Sequence, residues 1–336
     1  PEKVMIAGGP HVKHYIGDMV RNGEKWDYLV PLDGEKPLAG ILGGIAGKFQ
    51  HRYVRTGWQD RKKNIMEDIE QERILVDVMS KEEIGKAPRP DRSSESAIKL
   101  LKGYHYNLGD REATTMMCAR GCPEQCSFCE DAMTPVKWSS LESITAQLDD
   151  ITKLGYGGVY LFDDLFAIAM PIVEPIAREI KKRDLKYRCN AQARYFTKWG
   201  EDFARLLAET GCYEVAFVAE TGSQKILDNI NKRTTVQQNY DTVRYAKKHG
   251  IIVKAFILLG LPGEDWETLK ETERFIATSG MDDFGAYIYY PYKGTQIRDA
   301  IDRGADMDGY MFTGEGLGAY GQKGGATEAV VRTSAL

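Results

Sequence analysis

ARGCPEQCSFCE, residues 119–130, places Cys122, Cys126 and Cys129 within eight positions in the pattern C-x3-C-x2-C. Iron–sulfur clusters ordinarily take four cysteine thiolates, and structural zinc also takes four ligands. Three thiolates in one tight loop therefore describe a metal site with one place left for something else. Gly121 and Pro123 shape the start of the loop, and Phe128 puts an apolar wall between the last two cysteines. Cys118 stands four residues before Cys122. As a fourth ligand it would close the site into a zinc knuckle or an electron-carrier cluster; as a strand residue it would leave the site open.

Outward from this loop, residues 112–300 alternate strand-like runs with helical patterns. EATTMMC leads into the cysteines as a strand, and GVYLFDD, YRCNAQAR, YEVAFVAE, IVKAFILLG and FGAYIYY are five more. Between the first two, SSLESITAQLDDITKLG has helical periodicity, with Leu141, Ile144, Leu148 and Ile151 on one face. Ser139 and Glu142 suit a capping box at its start, and Gly155 suits its stop. Such alternation predicts parallel strands joined by helical crossovers. At roughly 30 residues per βα unit, the span holds about six units, short of the eight that close a barrel. Ligands of parallel α/β arrays gather at the carboxyl ends of the strands, which is where the cysteine loop falls.

The chain has 336 residues, a net charge of −4 and six cysteines, four of them clustered. That length suits one large core with a smaller companion, and clustered cysteines in so long a chain point to metal or redox chemistry in a reducing compartment. Cys189 and Cys212 read as buried core residues. No basic run stands out, so no nucleic-acid partner is expected. No apolar run approaches the roughly 18 residues of a membrane span and no signal peptide is visible, so the expected setting is cytoplasmic, without a membrane partner.

The C-x3-C-x-Phe-C form after the first strand of a partial βα barrel resembles the radical S-adenosylmethionine (radical SAM) enzymes, over about residues 112–300. The resemblance implies an α/β fold with a partial (β/α)6 radical SAM barrel. It implies a 4Fe–4S cluster on Cys122, Cys126 and Cys129 whose open iron is chelated by S-adenosylmethionine. One electron would then cleave the sulfonium and release a 5′-deoxyadenosyl radical. A reductant protein such as flavodoxin or ferredoxin, and a small-molecule or peptide substrate, are the implied partners.

On the same resemblance, Phe128 and several strand-end residues contact S-adenosylmethionine. Glu220 in VAETGS looks like the carboxylate to the ribose hydroxyls, its alternative being a solvated glutamate before a turn. Arg194 suits the methionyl carboxylate through its bidentate fork, or else an ordinary salt bridge. Asp163 and Asp164 stand where polar groups face the amino group, or cap the next helix. In FILLGLPGE, Leu258 lies near adenine and Gly260 permits close backbone approach. Glu264 stands one residue later than that motif would place it, its alternative being the first turn of the following helix. Tyr290 belongs to YYPYKGT, where Tyr289, Tyr290 and Tyr292 are adenine neighbours or core aromatics.

The amino-terminal stretch AGGPH, followed by DYLVPLDGEKPL, resembles the closing part of the doubly wound cobalamin-binding domain joined to one branch of this family. Gly8, Gly9 and His11 would lie by the nucleotide tail of cobalamin, and Gly34 and Glu35 match the later Gly-Glu turn. His11 and His14, three apart, are not otherwise a metal motif. The expected organisation is a partial cobalamin-binding-like segment (1–50), a linker region (51–111), the partial barrel (112–300) and a carboxy-terminal extension (301–336). Both termini read as cut edges of a longer protein. Methyl transfer is the leading expectation for this branch. A cobalamin-independent rearrangement, cyclisation or sulfur insertion, and a non-catalytic electron carrier, are the alternatives.

Overall fold

The computed structural model describes residues 5–9, 12, 19, 28–30, 33–45, 79–85, 87, 89–101, 106–304, 310–311 and 331–332. His11, His14 and most of the expected linker and carboxy-terminal extension lie outside the described residues. The chain forms two compact units, residues 1–80 with 318–322, and residues 81–317 with 323–336.

In the first unit, β1 (Ile6–Gly8) and β2 (Tyr28–Val30) pair in parallel, with Ile6 opposite Tyr28. Helix α1 (Glu35–Ile45) begins directly after Gly34, whose carbonyl accepts from Leu38 N–H at 2.8 Å.

The second unit opens with the short helices α2 (Lys81–Gly85) and α3 (Glu95–Leu101). Then come β3 (Tyr106–Leu108), β4 (Arg111–Met116), β5 (Ala119–Arg120) and β6 (Lys137–Trp138). The βα array continues with α4 (Leu141–Lys153), β7 (Gly158–Leu161), α5 (Met170–Lys182), β8 (Lys186–Ala191) and α6 (Ala193–Glu209). It proceeds through β9 (Cys212–Glu220), α7 (Gln224–Asn229), α8 (Val236–Lys248), β10 (Ile252–Leu259), α9 (Trp266–Thr278) and β11 (Asp283–Ile288). Last are α10 (Gln296–Asp302) and the antiparallel pair β12 (Tyr310–Met311) and β13 (Val331–Arg332).

Seven strands make one curled sheet in the order β11-β10-β9-β8-β7-β4-β3. Six are parallel, as the alternation predicts, and β3 adds an antiparallel edge beside β4. The sheet stays open between β11 and β3, a half barrel with six βα strands.

Its helix-facing side carries the core. Alternate strand residues such as Val159, Leu161, Tyr187, Cys189, Val215, Phe217, Val253 and Ile257 are buried against Ile144, Leu148, Ile176, Phe203, Leu207 and Phe275 of the helices. The other face mixes aromatic rings such as Tyr160, Phe162 and Phe256 with charged pairs. Arg188 pairs with Glu214 at 2.8 Å and Lys254 with Asp283 at 2.5 Å across neighbouring strands. Parallel strands buried on both faces are buried at every position; along most of β10 burial instead alternates, because only one face meets helices.

Two local expectations change. Helix α4 is capped by Ser140, whose hydroxyl accepts from Ser143 N–H, so the cap lies one residue later than Ser139 and no capping box forms. Leu141 is then 43% exposed at the helix start, leaving Ile144, Leu148 and Ile151 as its core face. Gly155 does terminate the helix, at φ +87°. Cys189 and Cys212 are buried in the core. Among the described residues no helix is long and apolar enough to cross a membrane.

Candidate metal centre

Because the strands are parallel, every loop after a strand falls on the same edge of the sheet. The cysteine loop follows β4 and is pinched at its base by the antiparallel pairs Ala119–Trp138 and Arg120–Lys137 of β5 and β6. Inside it, Thr134 N–H donates to Cys122 O at 2.9 Å and Cys122 N–H donates to Thr134 Oγ1 at 2.8 Å. Met133 N–H donates to Glu124 O, and Cys129 N–H to Cys126 O. Gly121 sits at φ +95°, and a Cβ there would lie 2.4 Å from Pro135 O. Only glycine fits this crossing.

Cys126 is buried, and Cys122 and Cys129 are half-buried. Burial lifts each of the three thiols to about 11, and charge on Cys129, Cys122 and Cys126 adds to the rise on Cys122, Cys126 and Cys129 respectively. The three sulfurs thus feel one another. Among the described residues no three His, Cys, Asp or Glu side chains converge on one point as a single ion would require. The irons of a cluster each take their own thiolate, and the three-thiol set fits that demand.

Cys118 lies two residues past the end of β4 rather than within it. Its thiol is fully buried in the main core, and burial raises its pKa well above the usual thiol range, with Asp163 adding to the rise. Its backbone joins the loop's frame, donating to Asp163 Oδ1 at 2.8 Å and accepting from Ser139 N–H at 2.7 Å.

The two aspartates after β7 brace this loop. Asp163 is 0% exposed and its Oδ1 accepts from the N–H groups of Cys118 and Ala119; Asp164 Oδ2 accepts from Gly121 N–H at 2.8 Å. The capping alternative falls, since Ala169 occupies the N-cap of α5. Burial lifts Asp163 to about 7 despite those two donors, and its Oδ2 is buried with no hydrogen-bond partner.

Arg194, in the first turn of α6, donates to Glu124 Oε1 at 2.5 Å and to the Tyr195 hydroxyl at 2.8 Å. Glu124 belongs to the cysteine loop itself. Its other oxygen accepts from Gln192 Nε2 at 3.1 Å, so both carboxylate oxygens are engaged. The salt-bridge reading of Arg194 therefore describes this structure, although its Nε is buried with no hydrogen-bond partner.

Glu220 ends β9 at φ +64° and pairs with Lys232 at 2.6 Å, with side-chain exposures of 5% and 3%. This is a buried ion pair, not a solvated glutamate. Burial pushes the Lys232 ammonium down, but Glu220 and then Cys126 outweigh it and the net shift is upward. Lys232 Nζ also lies 5.7 Å from the centre of the Phe128 ring, which meets Tyr289 edge-on at 6.4 Å.

Phe128 and Leu258 pack on a small second core of Ile226, Ile230, Leu261, Tyr289 and Ile297. Tyr289 is thereby a core aromatic, while the Tyr290 hydroxyl is buried with no hydrogen-bond partner and its ring stands 5.0 Å from Tyr292. Gly260 has φ +86°, and its N–H donates to Glu264 Oε2 at 2.6 Å. Glu264 sits before the Asp265 cap of α9, not in the helix's first turn; it closes the LGLPG turn.

Cys122, Cys126, Cys129, Phe128, Asp163, Asp164, Arg194 and Glu220 thus gather on or around one loop, with Leu258 and Tyr290 at the neighbouring strand ends. Gly8, Gly9, Gly34 and Glu35 belong to the other unit. There Gly9 has φ +87°, and Glu35 opens α1. Glu124, Gln192, Asn231 and Lys232 were not singled out by sequence. An acid inside the cysteine spacing and an Asn-Lys turn after α7 were the available signals, and neither has a periodicity to mark it.

A family model described as the radical SAM superfamily matches residues 116–276. The chain is 28% identical over 298 residues to an uncharacterised methyltransferase of Pyrococcus horikoshii, covering 87% of this chain and 62% of that protein. It is 23% identical over 336 residues to cytidylyl-2-hydroxyethylphosphonate methyltransferase of Streptomyces wedmorensis, covering 90% and 62%. The chain thus spans about three-fifths of the length of these curated relatives. Among solved structures, the cobalamin-dependent S-adenosylmethionine radical enzyme OxsB with aqua-cobalamin bound superposes with a TM-score of 0.59 at 19% identity, over 81% of this chain and 39% of that one. That likeness is one of fold. The family match runs from the last residue of β4 into α9 and so contains the whole cysteine loop: over residues 116–276 this chain is similar to the radical SAM superfamily.

Proposed function

We propose that the chain is the catalytic core of a cobalamin-dependent radical SAM methyltransferase, with a 4Fe–4S cluster on Cys122, Cys126 and Cys129. The observation that carries this reading is the three-thiol loop at the carboxyl edge of the half barrel. Cys122, Cys126 and Cys129 lie within one loop pinched at its base by β5 and β6, while Cys118 is packed away in the core. Methyltransferase names among the relatives, and the turns bearing Gly8, Gly9, Gly34 and Glu35, support methyl transfer and cobalamin.

When bound, the cluster with S-adenosylmethionine supplies a 5′-deoxyadenosyl radical, and cobalamin supplies a methyl group. The protein's share is placement and exclusion of water. Asp163, Asp164 and Glu124 hold the cysteine loop by its backbone and by the Arg194–Gln192 clasp. Phe128 shields one side, and Lys232 places the Glu220 carboxylate where the ribose hydroxyls are proposed to meet it. Leu258, Gly260 and Tyr290 line the strand ends on the proposed adenine side. The proposed setting is cytoplasmic, with a low-potential flavodoxin or ferredoxin as reductant and a small molecule or peptide as substrate.

The test is anaerobic reconstitution with iron and sulfide, followed by S-adenosylmethionine and a reductant. Formation of 5′-deoxyadenosine is expected; an iron-loaded protein that makes none defeats the reading. A cobalamin titration of the full-length protein separates methyl transfer from cobalamin-independent radical chemistry.

A further inference from the structure

Lys232 holds Glu220 in the reading above, but its buried ammonium also lies against the cysteine loop. It lies between two non-glycine residues in the left-handed region, Asn231 at φ 51° and Arg233 at φ 57°. Asparagine tolerates that region, but arginine does not favour it. Strain of this kind persists only where surrounding contacts impose it, and it clusters at functional sites. The contacts are visible. Asn231 Nδ2 donates to Gln125 O at 2.9 Å, and Ser127 N–H donates to Ile230 O at 3.0 Å. The turn is therefore bolted to the cysteine loop on both sides of Cys126. Its geometry drives the Lys232 side chain inward to Glu220 and the Phe128 ring, a position almost closed to solvent.

We propose that Lys232 is a positioning residue that sets the reduction potential of the cluster, by holding a fixed positive charge beside Cys126 and Cys129. The inference rests on the cluster assignment made above. Reduction adds one electron from the external donor and no proton, so the cluster gains one negative charge. A fixed cation nearby favours that gain, and in a water-poor site the effect is not screened away. The ammonium reaches the loop itself, since Nζ lies 5.7 Å from the ring of Phe128, the residue just before Cys129, and the turn that carries it is bonded to the residues on either side of Cys126.

The alternative is that Lys232 only neutralises Glu220. Electron paramagnetic resonance of the reconstituted protein, poised at one fixed potential, separates the two through the ratio of reduced to oxidised cluster. Lys232→Met should lower that ratio about tenfold, equivalent to about 59 mV for one electron. Lys232→Arg, which keeps the charge, should restore most of it. Glu220→Gln, which leaves the ammonium uncompensated, should raise the ratio. An iron-loaded Lys232→Met protein with the wild-type ratio overturns the proposal, as does Lys232→Arg behaving like Lys232→Met. If Lys232→Met binds no iron, Glu220→Gln decides: a raised ratio supports the proposal, and an unchanged or lowered ratio overturns it. Wild-type protein that takes up no cluster would instead sink the cluster assignment, a distinct result.

Discussion

Glu124→Ala should unlock the cysteine loop. The Glu124 carboxylate, 4% exposed, meets Arg194 at 2.5 Å and Gln192 at 3.1 Å. Its removal leaves a guanidinium without its counter-charge and a buried amide with only the longer of its two acceptors, Lys232 O at 3.4 Å. Breaking one side of a buried ion pair costs about 3–5 kcal/mol. Arg194 keeps 26% of its side chain exposed, so water recovers part of that and the loss should be about 3 kcal/mol. For a domain of this size, about 3 kcal/mol lowers Tm by about 6–12 °C. Glu124→Gln keeps a neutral acceptor and should lose about half as much or less. Thermal unfolding followed by circular dichroism, with iron assayed per chain, measures both. A Glu124→Ala protein within about 3 °C of wild type and fully loaded with iron would refute the clasp.

Gly121→Ala should lower iron occupancy while leaving secondary structure intact, because its Cβ meets the Pro135 carbonyl and φ is left-handed; normal iron uptake would show the crossing to be adaptable. Cys118→Ala should keep the cluster and cost about 1 kcal/mol of core packing, as read by iron content and a urea midpoint, whereas cluster loss would favour the electron-carrier alternative. Asp163 titrates near 7 when folded, against an ordinary 3.8. The folded state therefore binds its proton more tightly, and stability from this group falls as pH rises from about 4 to 7. Asp163→Asn keeps the acceptor for Cys118 and Ala119 N–H, so its stability relative to wild type should climb across that window in urea titrations. Equal pH slopes for the two proteins would refute this.

Sequence alone determined the array of six parallel strands with helices between them. Period-2 and period-3.6 patterns are local, and one-sided burial of strands and helices writes them directly into the chain. It also located the cysteine loop, whose spacing lies within eight residues. What holds that loop was decided only by tertiary structure. Glu124 meets Arg194 from 70 residues away, Cys118 meets Asp163 across 45, and Gln125 meets Asn231 across 106. Tertiary structure likewise put Arg194 into a half-buried ion pair and Glu220 into a buried one, and made Asp163 a backbone brace rather than a helix cap. Such partners come together because parallel strands bring all their carboxyl ends to one edge, and no local pattern records which side chains meet there.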